Sequence, residues 1–122
     1  MKILIVDDSN AIAMVVSEYI KELGFEAYHA SNGKDAVDMI SQDDIFDLIL
    51  LDWNMPVMDG LSFLEFNQEN DLTKSPIMMM TTENKPEKIM KALELGALEY
   101  IMKPFSKEIL ELKIQTLKKA AA

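Results

Sequence analysis

Leu48-Ile49-Leu50-Leu51-Asp52-Trp53-Asn54-Met55-Pro56 is the stretch on which the fold turns. Four apolar residues in a row, with no alternation, have the pattern of a strand buried on both faces. Such strands belong to parallel sheets covered by helices on either side. The run ends on an acid, and Pro56 and Gly60 interrupt regular structure beyond it, so residues 53–60 read as loop. The same signature recurs along the chain. Lys2–Val6 contains Ile3-Leu4-Ile5-Val6 and ends at Asp7-Asp8, and Ile77-Met78-Met79-Met80 ends at Thr81-Thr82. Glu26–Ala30 and Glu99–Met102 read as two further strands, the second leading into Lys103-Pro104.

Between these runs the apolar period lengthens to that of a helix. Asn10 is placed to cap a helix with Ile12, Val15, Val16, Tyr19, Ile20 and Leu23 on one face, ended by Gly24. After the turn Ser31-Asn32-Gly33, residues 34–41 are helical through Ala36, Val37 and Ile40. Residues 61–68 form the next helix. Pro86 suits the first turn of another, which reaches Leu95 and stops at Gly96. Ser106 caps a last helix from Lys107 to about Lys119. Five strand–helix units without repeat or linker predict one α/β domain with a parallel sheet between two helical layers.

The 122 residues suffice for one domain with its own core, at 49% hydrophobic and 27% charged. There is no cysteine, which excludes disulfides and thiolate metal sites. No apolar run approaches the ~20 residues of a membrane span, and the apolar start is too short for a signal peptide. A cytoplasmic protein with no membrane insertion is the expectation. Net charge is −9 and every basic residue is lysine, which disfavours direct nucleic-acid binding. Some of this acidity is simply solubilising; a cation would hold part of it together.

In an open α/β sheet, ligands bind beyond the carboxyl ends of the strands. Asp7-Asp8, Asp52, Thr81-Thr82 and Lys103 all fall there. Singly, each has an ordinary explanation as a cap, a turn residue or a solvated charge; jointly they are a constellation. Two carboxylates ~4 Å apart repel by roughly 4 kcal/mol at an effective dielectric of 20, so three require a shared cation. Mg²⁺ suits an all-oxygen donor set, whereas soft metals do not. Open positions on such an ion draw phosphoryl oxygens, Asp is a carrier in aspartyl-phosphate chemistry, and Lys103 and Thr81 can serve the remaining oxygens.

Ile5-Val6-Asp7-Asp8-Ser9, Leu50-Leu51-Asp52-Trp53-Asn54-Met55-Pro56-Val57-Met58-Asp59-Gly60, Met80-Thr81-Thr82-Glu83 and Tyr100-Ile101-Met102-Lys103-Pro104-Phe105 resemble the receiver domains of two-component response regulators. The likeness is greatest to chemotaxis regulators of the CheY type and covers the whole chain in order. It implies a single receiver domain over residues 1–122. The implied fold is a doubly wound, flavodoxin-like sheet of order 2-1-3-4-5 flanked by five helices. It implies a phosphoprotein whose Asp52 takes a phosphoryl group from a phosphohistidine on a sensor histidine kinase. Mg²⁺ would be held by Asp8, Asp52 and the main-chain carbonyl of Asn54, with Asp7 acting through water. Lys103 would contact the phosphoryl group and precede a cis Pro104. Thr81 would swing toward that group as Tyr100 moves inward, remodelling the face of the fourth helix, fifth strand and fifth helix for a downstream target protein. For the chemotaxis type that target is the flagellar motor switch. Asn54 and Glu83 flank the path of the attacking water and tune dephosphorylation. Such a domain is a monomeric signalling protein, not an enzyme, and catalyses only its own phosphorylation and dephosphorylation.

One residue departs from the pattern. Thr82 stands where the family usually has alanine or glycine, and its bulk bears on access to the phosphoryl group; the sign of the effect on dephosphorylation is open. A phosphorelay intermediate, or a receiver belonging to a longer regulator, fits the same motifs. An aspartyl-nucleophile phosphatase of the haloacid-dehalogenase kind would need Asp-x-Asp after the first strand, where this chain has Asp7-Asp8-Ser9. A flavin or nucleotide site would need a phosphate loop, and the glycines at 24, 33, 60 and 96 are scattered. His29, the only histidine, reads as a surface or hydrogen-bonded residue, and Met78-Met79-Met80 as core.

Overall fold

A computed structural model describes residues 1–82 and 84–121, with side chains described as far as 118. Its elements alternate without exception: β1 (Lys2–Val6), α1 (Asn10–Glu22), β2 (Glu26–Ala30), α2 (Gly33–Gln42), β3 (Leu48–Asp52), α3 (Gly60–Asn70), β4 (Ile77–Thr81), α4 (Pro86–Glu94), β5 (Glu99–Met102) and α5 (Lys107–Ala121). All strand pairings are parallel, in the order β2-β1-β3-β4-β5. This is the doubly wound sheet expected from the sequence. The unalternating strands are the central ones: β3 and β4 are buried at all five positions. The edge strand β2 keeps only Ala30 fully buried.

Strand alternation divides the core into two. Ile3 and Ile5, Leu48 and Leu50, Met78 and Met80, and Ile101 meet α1 and α5 through Val16, Ile20, Leu110 and Ile114. Leu4 and Val6, Ile49 and Leu51, and Ile77 and Met79 meet α2, α3 and α4 through Ile40, Phe63, Leu64 and Ala92. The three consecutive methionines are core on both sides, as their sequence setting indicates.

Register then aims the strand ends. Val6 pairs with Leu51, Leu51 with Met79 and Met79 with Tyr100. The next row holds Asp52 beside Met80 beside Ile101. Asp7 and Lys103 prolong their strands, since the Asp7 N–H donates to Ala30 O (3.1 Å) and the Lys103 N–H to Thr81 O (2.8 Å). By the two-residue period, Asp7, Asp52 and Lys103 share the face of Ile5, Leu50 and Ile101. Thr81 and Tyr100 fall on the opposite face, with Met79.

Helix starts differ from expectation in two informative places. The cap of α1 is Ser9 rather than Asn10: its extended backbone presents the hydroxyl to the Ile12 N–H (3.3 Å). Ser9 wins because its own N–H is already drawn to Asp7 Oδ1 (2.9 Å), which sets the chain's entry into the helix. Gly60 opens α3 instead of breaking the chain, because Asp59 caps the Ser62 N–H at 2.8 Å. The remaining ends shift by a residue or two: α2 runs Gly33–Gln42, α3 reaches Asn70, α4 stops at Glu94 and α5 at Ala121.

Candidate functional site

At the carboxyl edge of the sheet, β1 and β3 lie side by side, so the acids that follow them meet. One carboxylate oxygen from each of Asp7, Asp8 and Asp52 lies within 4.8 Å of the other two. Asp7 is 1% exposed and Asp52 8%, while Asp8 faces solvent. Lys103, arriving from β5 across β4, donates from Nζ to Asp52 Oδ1 (2.8 Å) and to Asp7 Oδ2 (2.9 Å). The Lys103–Pro104 bond is cis, as the family likeness implies. Three carboxylates against one ammonium leave two negative charges at the mouth of the sheet. An oxygen-only site with that charge fits a hard divalent cation.

The titration behaviour follows from burial and from this crowding. The Asp52 carboxyl is held above its ordinary value of 3.8, chiefly by burial, with the Asp7 charge adding to it against the pull of Lys103. Burial alone would favour the neutral amine of Lys103, but its hydrogen bonds and charge contacts with Asp52 and Asp7 together keep its value above 10.5. A carboxyl raised on folding holds its proton longer in the folded state than in the unfolded chain. Without metal, stability should therefore fall as pH rises from 3.8 through the raised Asp52 value. The Lys103 contribution runs in the same sense at the alkaline end: present below 10.5 and lost as pH climbs through the raised amine value. Urea unfolding at a series of pH values with chelator present tests this, and Asp52→Asn should flatten the acid limb.

The loop after β3 is tied down backbone to backbone. The Gly60 N–H donates to Trp53 O (2.9 Å), and a Cβ on Gly60 would stand 2.5 Å from the Asp52 carbonyl oxygen. Gly60→Ala must push the loop off β3, and is expected to cost about 1–3 kcal/mol in a denaturant midpoint. At the loop's far side the Met58 N–H donates to Pro56 O (2.7 Å) across Val57, whose φ of +69° makes this the rarer γ-turn. A β-branched residue held there stores about 1–3 kcal/mol.

The structure brings together Asp7, Asp8, Asp52 and Lys103. Asn54 lies exposed in the loop just beyond Asp52. Thr82 is exposed and, like Lys103, lines an apolar groove of about 440 Å³, lined further by Ile12, Val15, Tyr19 and Phe105. Thr81 is buried at the end of β4, and Tyr100 is half-buried on the same sheet face. The Tyr100 ring carries Lys113 Nζ 5.2 Å from its centroid, and Lys113 is paired with Glu99 at 3.2 Å. Glu83 lies outside the described residues. His29 is exposed, and its Nε2 sits 2.7 Å from the Asp7 carbonyl oxygen, so the ring N–H donates there. Sequence reasoning missed the supports of the site: Ser9 on Asp7, and Gly60 against Asp52. The Asp-Gly pair at 59–60 was the available signal for the second.

The family model for the response regulator receiver domain matches residues 3–115. The chain is a response regulator receiver. Among its relatives, chemotaxis protein CheY-3 of Vibrio cholerae is 37% identical over 119 residues, covering 96% of this chain and 91% of that protein. Chemotaxis protein CheY of Pseudomonas aeruginosa is 34% identical, covering 96% and 95%. Among solved structures, the receiver domain of the Francisella response regulator 1452 superposes with a TM-score of 0.89 at 29% identity, covering 99% of this chain and 98% of its own. V. cholerae chemotaxis protein CheY4 superposes with a TM-score of 0.85 at 37% identity, covering 94% and 96%. The receiver is thus a signalling protein of the two-component class. Among its described residues no helix is long and apolar enough to cross a membrane.

Proposed function

We propose that this receiver is switched by phosphorylation of Asp52. The observation that carries this reading is the cluster itself: three convergent carboxylates and a single bridging lysine, with a net charge that a divalent ion would cancel. Asp7, Asp8 and Asp52, joined by the main-chain carbonyl of Asn54, would hold Mg²⁺, which supplies neutralisation of the phosphoryl oxygens during transfer.

In the transfer, an Asp52 carboxylate oxygen forms the new bond to phosphorus as the bond to the donor's imidazole nitrogen breaks, and the departing imidazole takes a proton. Lys103, already within 2.8 Å of Asp52, moves its hydrogen bond to a phosphoryl oxygen. The added group carries about −1.5 to −2 charge, and this favours whichever arrangement of the β4 and β5 ends offers it donors. Thr81, with Thr82 beside it, is the donor on β4, and Tyr100 on the same face transmits the change. The receiving surface is the one where Met90, Leu98, Met102, Ile109 and Leu112 stand exposed on α4, β5 and α5 or beside them. Asn54 and Glu83 set the lifetime of the phosphorylated state.

The names of the relatives support a role in chemotaxis. On this reading the protein works in the cytoplasm, its partners are a sensor histidine kinase and a downstream target protein of the flagellar motor switch, and residues 1–122 act as one domain. A receiver serving as phosphorelay intermediate would pass the group to a further histidine instead. The test is a Mg²⁺ titration read by Trp53, which is 9% exposed and adjoins Asp52. Millimolar Mg²⁺ should change its fluorescence, and labelling by a small acyl phosphate should then map to Asp52. An unchanged signal, or label on another residue, would sink the proposal. Pull-down with and without beryllofluoride distinguishes a motor-type target from a relay histidine.

A further inference from the structure

We propose that Gly33, at the start of α2 and outside the acid cluster, is a positioning residue for the cation site. The inference rests on the Mg²⁺ reading above and assigns a residue that neither touches the metal nor belongs to the motifs around it. As the first residue of α2 behind the cap Asn32, Gly33 has an N–H with no partner inside the helix. That N–H donates to the Met58 carbonyl at 3.0 Å. The helix start thereby gains its missing acceptor, and the β3–α3 loop gains an anchor on a different layer of the fold.

The approach is close enough to require glycine. A Cβ at position 33 would lie 2.7 Å from the Met58 carbonyl oxygen and 2.7 Å from Met58 Cγ. The anchored carbonyl adjoins Val57, whose φ of +69° is one that β-branched residues avoid. Left untied, residue 57 gains by returning to negative φ, and that rotation displaces the segment running back to Asn54. The loop is thus held between two points, Gly60 N–H on Trp53 O and Gly33 N–H on Met58 O, with Asn54 between them. Coupling of this kind is reciprocal: if the tie favours the cation, the cation favours the tie.

The test uses the full chain and Mg²⁺ alone, followed by Trp53 fluorescence. Gly33→Ala is expected to weaken Mg²⁺ about 10-fold, as loss of a supporting contact around a metal site commonly does. Met58→Ala should stay near the wild type, because the hold is on the carbonyl. Ile40→Val, a buried change elsewhere on α2, should lower the unfolding midpoint without moving the Mg²⁺ affinity. Equal affinity in Gly33→Ala and wild type overturns the inference, as does a loss in Met58→Ala as large as that in Gly33→Ala. Should Gly33→Ala fail to fold, hydrogen exchange at the Gly33 amide of the wild type decides the matter. Saturating Mg²⁺ should slow it several-fold, and an unchanged rate overturns the proposal. Absence of Mg²⁺ binding by the wild type would instead strike at the proposed function.

Discussion

Asp52→Asn should abolish acid-labile labelling by a small acyl phosphate while leaving the metal-free protein at least as stable as the wild type. The two halves have different causes. An amide oxygen is no nucleophile toward phosphorus, so the acceptor is lost outright. The side-chain amide oxygen of this variant can still accept from Lys103, so the hydrogen bond at 2.8 Å need not be lost. What disappears is the charge that burial and Asp7 oppose. Replacing it leaves Asp7 and Lys103 as a matched pair, and a gain of about 1 kcal/mol without metal is expected. Stabilisation by Mg²⁺ should shrink in the same variant. Labelling that survives in Asp52→Asn would move the acceptor to Asp7 or Asp8. A large loss of stability would mean that the Asp52 charge supports the fold.

The second large effect concerns Lys103. Lys103→Ala removes the only described cation in contact with both buried carboxylates. Stranding buried charge in this way costs about 3 kcal/mol or more, so metal-free Lys103→Ala should unfold at markedly lower denaturant. Saturating Mg²⁺ should restore much of this, since a ligand at 100 times its dissociation constant contributes about 2.7 kcal/mol. Because the ammonium and the ion compete for the same carboxylates, Mg²⁺ affinity should not fall and is expected to rise. Phosphorylation should still proceed, but without altering affinity for the downstream partner, because the group that follows the phosphoryl oxygen is gone. Lys103→Ala with weaker Mg²⁺ binding would show instead that the lysine organises the carboxylates for the metal.

The fold was legible because its signals are local. The apolar runs at 3–6, 48–51 and 77–80 cannot be half-exposed strands, and helical spacing between them leaves little besides a parallel sheet under two layers of helices. All five strands fall where their patterns indicate, and helix ends moved by only a residue or two. The exceptions are cases of competition. Asn10 and Ser9 are both good caps, and what chose between them was the Asp7 carboxylate on the Ser9 N–H, a contact that depends on the chain's path out of β1.

The acid cluster was legible for the same reason as the fold: each candidate ends a strand, and parallel strands end on one edge. By itself, then, the sequence determined which residues reach that edge; strand register decided that Asp7, Asp52 and Lys103 share a face. Only the tertiary structure decided that Lys103 spans both carboxylates, that Gly60 presses on the Asp52 carbonyl and that Gly33 holds Met58. Periodicity records which way a side chain points relative to its neighbours in the chain. Distances between residues dozens of positions apart are set by strand order and loop path, and no local pattern encodes them.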